Sequence, residues 1–201
     1  PLELKLGGVY ASTGNYSAAI EHYNSAYTGS DDALIKAEAD LRAGQAFFAM
    51  GDTSNAFDRY NDAVVNFPKT YSAYASLVDM VDNGMQVNDY YRGVVDYYAG
   101  QYSAALIALN RYTDNTPDHD GSALHFKALS LAAIQDYRSA FLVWDIFFQN
   151  YPDNPYVADA WEEKASIQWS ELGDSTAAAS TLLDFVASAP THPRAPGALY
   201  D

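Results

Sequence analysis

The chain contains no cysteine. Disulfides, thiolate catalysis and Cys-ligated zinc or iron–sulfur sites are thereby excluded. Basic residues are scarce: 11 Lys+Arg stand against 26 Asp+Glu, a net charge of −15 over 201 residues. That balance repels phosphate backbones and anionic lipid, so neither a nucleic acid nor a membrane surface is the expected partner. No apolar run approaches the ~20 residues of a membrane span. No GxSxG, GxxxxGK[ST] or strand-to-helix GxGxxG motif occurs, which leaves serine acyl transfer, P-loop and dinucleotide chemistry without a signature. What the chain does have is core-forming material, with 49% apolar and 14% aromatic residues, 17 of them Tyr. That composition excludes disorder. The first residue is Pro1, and no basic stretch followed by an apolar one marks a secretory signal. Residues 193–201 read as the opening turns of another helix. The chain is therefore expected to be a piece of a longer protein.

One pattern recurs along the sequence. Gly44 is followed by Phe47, Gly51, Ala56, Tyr60, Ala63 and Pro68. Gly7, Tyr10, Gly14, Ala19, Tyr23 and Ala26 repeat it without the proline. Gly93, Gly100, Ala105, Leu109, Tyr112 and Pro117 form a third copy. Ala128, Leu131, Gln135, Ala140, Trp144, Phe147 and Pro152 form a fourth, and Trp169, Gly173, Ala178, Leu182, Phe185 and Pro190 a fifth. The turn positions 14, 51, 100, 135 and 173 lie 37, 49, 35 and 38 residues apart. Small residues suit two helices whose backbones approach closely. Glycine at the turn suits a helix end in the left-handed region. Proline stops the second helix. In period and residue class the chain resembles the tetratricopeptide repeat family.

The periodicity predicts helices near 2–13, 16–28, 31–50, 53–66, 71–83, 87–99, 102–115, 121–134, 137–150, 155–172 and 175–188, with a stub from 193. No segment alternates with period two, so no sheet is expected. The resemblance implies an all-α, right-handed superhelical solenoid of about five helix pairs in one array over 1–201. The pairs fall near 1–30, 31–68, 86–117, 121–152 and 155–190. The 49-residue interval leaves room for one extra helix near 71–83, ahead of the Asn83-Gly84 turn.

Candidate chemistry is sparse. Asp118-His119-Asp120 with His125 invites a metal reading. However, His119 follows Pro117 as His192 follows Pro190, which points to a shared inter-repeat turn. His22 reads as a solvated surface residue. Asp31-Asp32 and Glu162-Glu163 read as acidic helix starts, favoured by the positive end of the helix dipole. No cofactor, metal or catalytic residue is assigned. Asn15-Tyr16-Ser17 is formally a glycosylation sequon, placed in a tight turn. The pairs Tyr90-Tyr91 and Tyr97-Tyr98 offer stacking surfaces, with one ring of each pair expected in the core.

The resemblance also implies a concave face lined by the first helix of each pair. By register it takes Glu38, Leu41, Gln45 and Phe48 from the second repeat and Tyr90, Val94 and Tyr97 from the third. It takes His125 and Leu129 from the fourth, and Glu163 and Ile167 from the fifth. Relatives that clamp a peptide's C-terminal carboxylate use Lys, Arg and Asn at such positions, and none stands here. The face suits a basic peptide or a neighbouring domain of the same protein.

A second, narrower likeness lies in the stretch from Asn88 to Ala105, together with Ala160-Trp161-Glu162-Glu163-Lys164-Ala165 and Leu182-Leu183-Asp184-Phe185-Val186. These segments are similar to the helical superstructure of bacterial soluble lytic transglycosylases. That family's catalytic Glu stands in a separate domain, usually followed by Ser. None of Glu3, Glu21, Glu38, Glu162, Glu163 and Glu171 is followed by Ser, so no catalytic residue transfers. The Pro-x-x-Pro joints at 152–155 and 190–193 also occur in cell-envelope repeat proteins. Both likenesses imply a periplasmic or cell-envelope setting, and the second implies peptidoglycan as a partner of the parent protein. The reading is a non-catalytic interaction scaffold, and the alternative is the superhelical arm of a lytic transglycosylase.

Overall fold

The computed structural model describes residues 2–195 and 197. Among them the chain is all-α, with eleven helices and no strand. The helices are α1 (Leu2–Ser12), α2 (Tyr16–Thr28), α3 (Ala33–Ala49), α4 (Thr53–Asn66), α5 (Tyr71–Asp82) and α6 (Asp89–Tyr98). They continue as α7 (Tyr102–Asn115), α8 (Ser122–Ala133), α9 (Tyr137–Asn150), α10 (Val157–Ser170) and α11 (Ser175–Ser188). The extra helix expected near 71–83 is α5. Most of the helix expected from 193 falls outside the described residues.

Local chemistry explains these boundaries. Asn15, Asp32, Asp52, Thr70, Asn88, Asp136 and Asp174 each precede a helix, and each side chain accepts a hydrogen bond from a backbone amide of the first turn. These caps satisfy donors that the helix itself leaves unpaired. The second helices end at Asn66, Asn115, Asn150 and Ser188, each two residues before a proline.

The turns inside the first four pairs share one structure. The amide of Asn15 donates to the Tyr10 carbonyl, that of Asp52 to Phe47, that of Gln101 to Asp96 and that of Asp136 to Leu131. The residue before each of these donors has positive φ: Gly14 at 78°, Gly51 at 80°, Gly100 at 74° and Gln135 at 64°. This is the Schellman arrangement, in which a left-handed residue lets the last carbonyls of the helix find donors. Gln135 alone holds the position with a side chain, against a left-handed penalty of about 1–2 kcal/mol. Replacing Gln135 with Gly removes that strain but adds backbone freedom to the unfolded chain. A net gain of about 0.5–1 kcal/mol is expected. A melt showing no gain would mean the glutamine is held by contacts beyond this turn.

The chain divides into two compact units, Pro1–Ala108 and Leu109–Asp201. In the first unit each of α1 to α5 packs on the next, and α6 packs on α5 and α4. The first helices α1 and α3 also meet, and α3 meets the extra helix α5. The pairs close because a small residue faces a large ring. A Cβ added to Gly44 would stand 2.5 Å from Cε1 of Tyr60, and one on Gly7 would overlap Tyr23 in the same way. One core group joins Leu4, Ile20, Tyr23 and Ala43; another joins Tyr60, Val64, Leu77, Met80 and Val95. In the second unit α8 packs on α9, α9 on α10 and α10 on α11. Its core is aromatic, with Trp144 and Phe147 fully buried, and Phe148 stacked on Trp161 with ring centres 3.7 Å apart.

Three expectations change. Glu162 and Glu163 do not open a helix: α10 begins at Val157, because the Asn154 side chain accepts from the Tyr156 amide and sets the turn five residues earlier. His22 is not simply solvated, since its Nδ1 stands 2.7 Å from Glu3 Oε2 and its ring stacks on Tyr10. Of the tyrosine pairs, Tyr90 and Tyr91 are both half-buried, while Tyr98 is more exposed than Tyr97. The shared turn of His119 and His192 is present. Nδ1 of His119 accepts from the Gly121 amide, and Nδ1 of His192 from the Arg194 amide.

Candidate functional site

In the first unit, Glu38, Leu41, Gln45 and Phe48 follow one stripe of α3, because steps of three and four residues return to the same helix face. Glu38 Oε1 accepts from Arg42 Nη2 at 2.6 Å. Arg42 Nη1 lies 3.5 Å from where a Cβ on Gly8 of α1 would stand, so this side chain crosses to the neighbouring first helix. On the other side, Gln45 Nε2 donates to Asp79 Oδ2 of α5 at 3.1 Å. Leu41 packs into the second core group, and Phe48 is exposed. The α3 stripe thus meets α1 at one edge and α5 at the other.

Tyr90, Val94 and Tyr97 lie on α6. Val94 is buried, while Tyr90 and Tyr97 are half-buried. The Tyr97 ring stands edge-on to Tyr98 at 5.2 Å and tilts against Tyr102 at 5.9 Å. Lys69 Nζ lies 5.1 Å from the Tyr98 ring centre, a cation held over an aromatic face.

In the second unit, His125 on α8 is 3% exposed, with its ring parallel to Tyr156 at 5.0 Å. Burial pushes its pKa down to about 4, an effect partly opposed by Asp159. A neutral, stacked imidazole of this kind is a core group. Leu129 and Ile167 pack against the same aromatic core. Glu163 on α10 is exposed; desolvation by the protein around it raises its pKa, and the charges of Asp159 and Glu162 add to the effect. Those two neighbours are engaged by the Arg194 guanidinium, which donates to both carboxylates. Among the described residues no group of three His, Cys, Asp or Glu is placed to hold a metal ion. No helix there is long and apolar enough to cross a membrane.

Register reasoning missed a polar network in the first unit. Asp40 of α3 is fully buried. Its Oδ1 accepts from Arg59 Nη1 of α4 at 3.2 Å, and Arg59 also donates to Asn24 of α2. The Tyr27 hydroxyl of α2 donates to Asp62 Oδ2 of α4 at 2.9 Å. Burial, then the Asp62 carboxylate, pushes the Tyr27 pKa to about 12. A signal was present: Asp40 stands in line with Ala37, Gly44 and Phe47, a buried register that a carboxylate does not enter without partners. Asp96 of α6 repeats the signal beside Gly93. It is buried, its pKa is raised to about 6 by desolvation, and Arg92 Nε 3.8 Å away partly offsets the rise.

Comparison with known proteins gives a local match and a distant likeness. A family model described as tetratricopeptide repeat matches residues 38–70. These residues run from within α3 through α4 to the cap of α5, and include Gly44, Gly51, Tyr60 and Pro68. No curated protein matches the chain by sequence. Among solved structures, the TPR2AB domain–pHSP90 complex of yeast Sti1 superposes with a TM-score of 0.43 at 13% identity, covering 98% of this chain and 96% of that one. The chain resembles the tetratricopeptide repeat family, and residues 38–70 match that family's model.

Proposed function

We propose that the chain is a non-catalytic protein-interaction scaffold, and that the face carried by its first helices receives a basic peptide or a neighbouring domain of the same protein. One observation carries the reading. The α3 stripe of Glu38, Leu41, Gln45 and Phe48 is flanked by Gly8 of α1 and Asp79 of α5, which makes a surface with an exposed ring and a carboxylate at its α5 edge. Arg42, the cation on this surface, is engaged by Glu38. A net charge of −15 favours the approach of cationic segments and disfavours acidic ones. In the second unit, taken by itself, Glu163 is an exposed carboxylate on α10.

The test is a titration of the full chain with a fluorescent Lys/Arg-rich peptide and an Asp/Glu-rich control of equal length. The basic peptide should bind, the acidic one should not, and affinity should drop at high salt because exposed charges are screened. Phe48→Ala with Glu38→Lys should weaken binding by about tenfold or more if the α3 stripe supplies a central contact. Equal binding of both peptides, or an unchanged affinity in the variant, would reject this face. The second reading is a glycan-guiding arm of a peptidoglycan lytic transglycosylase. It draws on the edge-on tyrosines of α6, Tyr90 with Tyr91 and Tyr97 with Tyr98. Retention on peptidoglycan sacculi that is lost in Tyr90→Ala/Tyr97→Ala would favour it over the peptide reading.

A further inference from the structure

The network around Asp40 contains more negative charge than its partners neutralise. Asp40 and Asp62 bring two carboxyl groups together, and Arg59 supplies one guanidinium. Asp40 is fully buried, and its Oδ2 has no hydrogen-bond donor among the described residues. Asp62 stands one helical turn along α4 from Arg59, the residue that reaches Asp40, and burial, then the negative charge of Asp62, raise the proton affinity of Asp40. Asp62 already accepts from Asn66 Nδ2 at 2.8 Å and from the Tyr27 hydroxyl at 2.9 Å. Two facing carboxylates, one of them in a dry interior, are not stable together unless a proton lies between them. A proton on Asp40 Oδ2 turns that oxygen into a donor, makes Asp62 the acceptor, and brings the trio with Arg59 to zero charge.

We propose that Asp40 and Asp62 share one proton that ties α3 to α4, and that mildly alkaline solution removes it and loosens the first unit. The groups facing Asp40 from each packed helix agree with this. From α4 come Arg59 and Asp62. From α2 come Asn24, held by Arg59, and Tyr27, held by Asp62. Lys36 of α3 itself lies over the Tyr27 ring, 5.2 Å from its centre. Glu3 of α1 is taken up by His22, and Asp79 of α5 by Gln45.

Desolvation, then Asp62, pushes the Asp40 pKa up to about 8, against the pull of Arg59. The folded chain then holds a proton that the unfolded chain has released. Stability therefore falls as pH rises towards about 8 and levels off above it. For one retained proton, the folding constant drops about tenfold per pH unit. His125 acts in the opposite sense, since its depressed pKa removes stability as pH falls below about 6.5. Asp96, raised to about 6, acts in the same sense as Asp40 but at lower pH, so the aspartate pair dominates towards the upper end of the window from about pH 6.5 to 8.

The experiment is carboxyl ¹³C NMR of the full chain labelled at aspartate, titrated from about pH 5 to 9 and paired with thermal melts across the same range. An Asp carboxyl signal should titrate near pH 8, and it should be absent from both Asp40→Asn and Asp62→Asn. The wild-type melting midpoint should fall between pH 6.5 and 8. In the variants it should stay level, because an amide N–H replaces the shared proton. If Asp40→Asn does not fold, Asp62→Asn and the wild-type titration decide the matter. Absence of any Asp carboxyl titrating above pH 6, or a flat wild-type melting profile, overturns the proposal. So does recovery of the midpoint at pH 8 on adding Ca²⁺ or K⁺ alone, since a cation would then occupy the place assigned to the proton.

Discussion

Truncating Trp144 to alanine is expected to destabilise the protein by about 3–5 kcal/mol, the range for emptying a buried aromatic site. Trp144 of α9 is 0% exposed and shares a core group with Ala128, Ala140, Phe147, Val157 and Ala160. These neighbours come from α8, α9 and α10, so the cavity would open where three helices meet. Partial collapse is blocked on one side by the Phe141 ring, stacked with its centre 6.3 Å away. The indole Nε1 has no hydrogen-bond partner among the described residues. Trp144→Phe should therefore cost far less, because the lost volume is partly offset by removing an unpaired buried N–H, itself a penalty of about 1–3 kcal/mol. Urea denaturation of the two variants checks both halves. An alanine variant within about 1 kcal/mol of wild type would show that this core is less tightly packed than the burial implies.

Gly121→Ala is the second large effect. Gly121 caps the start of α8 with φ of 88°, and an added Cβ would come closer than 3.0 Å to three atoms of Tyr151. Left-handed strain contributes about 1–2 kcal/mol and overpacking about 1–3 more, giving a loss of roughly 2–5 kcal/mol. The tyrosine cannot easily withdraw. Its ring lies 5.3 Å from His119 and 6.3 Å from Phe147, and the amide of Gly121 is itself bonded to His119. A double-mutant cycle separates the two causes. With Tyr151→Gly in place no side-chain atom is left at 151 for the added Cβ to meet, so Gly121→Ala should retain only its backbone cost. If the two substitutions add fully, the ring is not what reserves this position for glycine.

The helices were legible because their ends are written in residues that act locally. The predicted spans 53–66, 102–115, 137–150 and 175–188 coincide with α4, α7, α9 and α11. The spans 31–50, 87–99 and 155–172 each overran. In the first two, the helix starts only after its capping residue, Asp32 or Asn88. Periodicity and the 49-residue interval together mark the 71–83 segment as an extra helix, and α5 fills it. The candidate site was legible only as a set of helix-face positions. Register put Val94 and His125 on the same stripe as exposed Gln45 and Glu163, yet the first two are buried. Helical spacing assigns a direction around one axis and says nothing of what lies opposite.

The sequence by itself determined where the chain turns and what punctuates it. A left-handed glycine, a capping Asn or Asp and a proline two residues past the helix each act within a single turn of backbone. Only the tertiary structure decided which polar side chains are shut in and with whom. Asp40 meets Arg59 across 19 residues and Tyr27 meets Asp62 across 35, so their charges depend on neighbours that no local pattern can name. The physical reason is desolvation: a carboxylate's cost and its proton depend on the atoms that replace water, and folding supplies those atoms from distant parts of the chain.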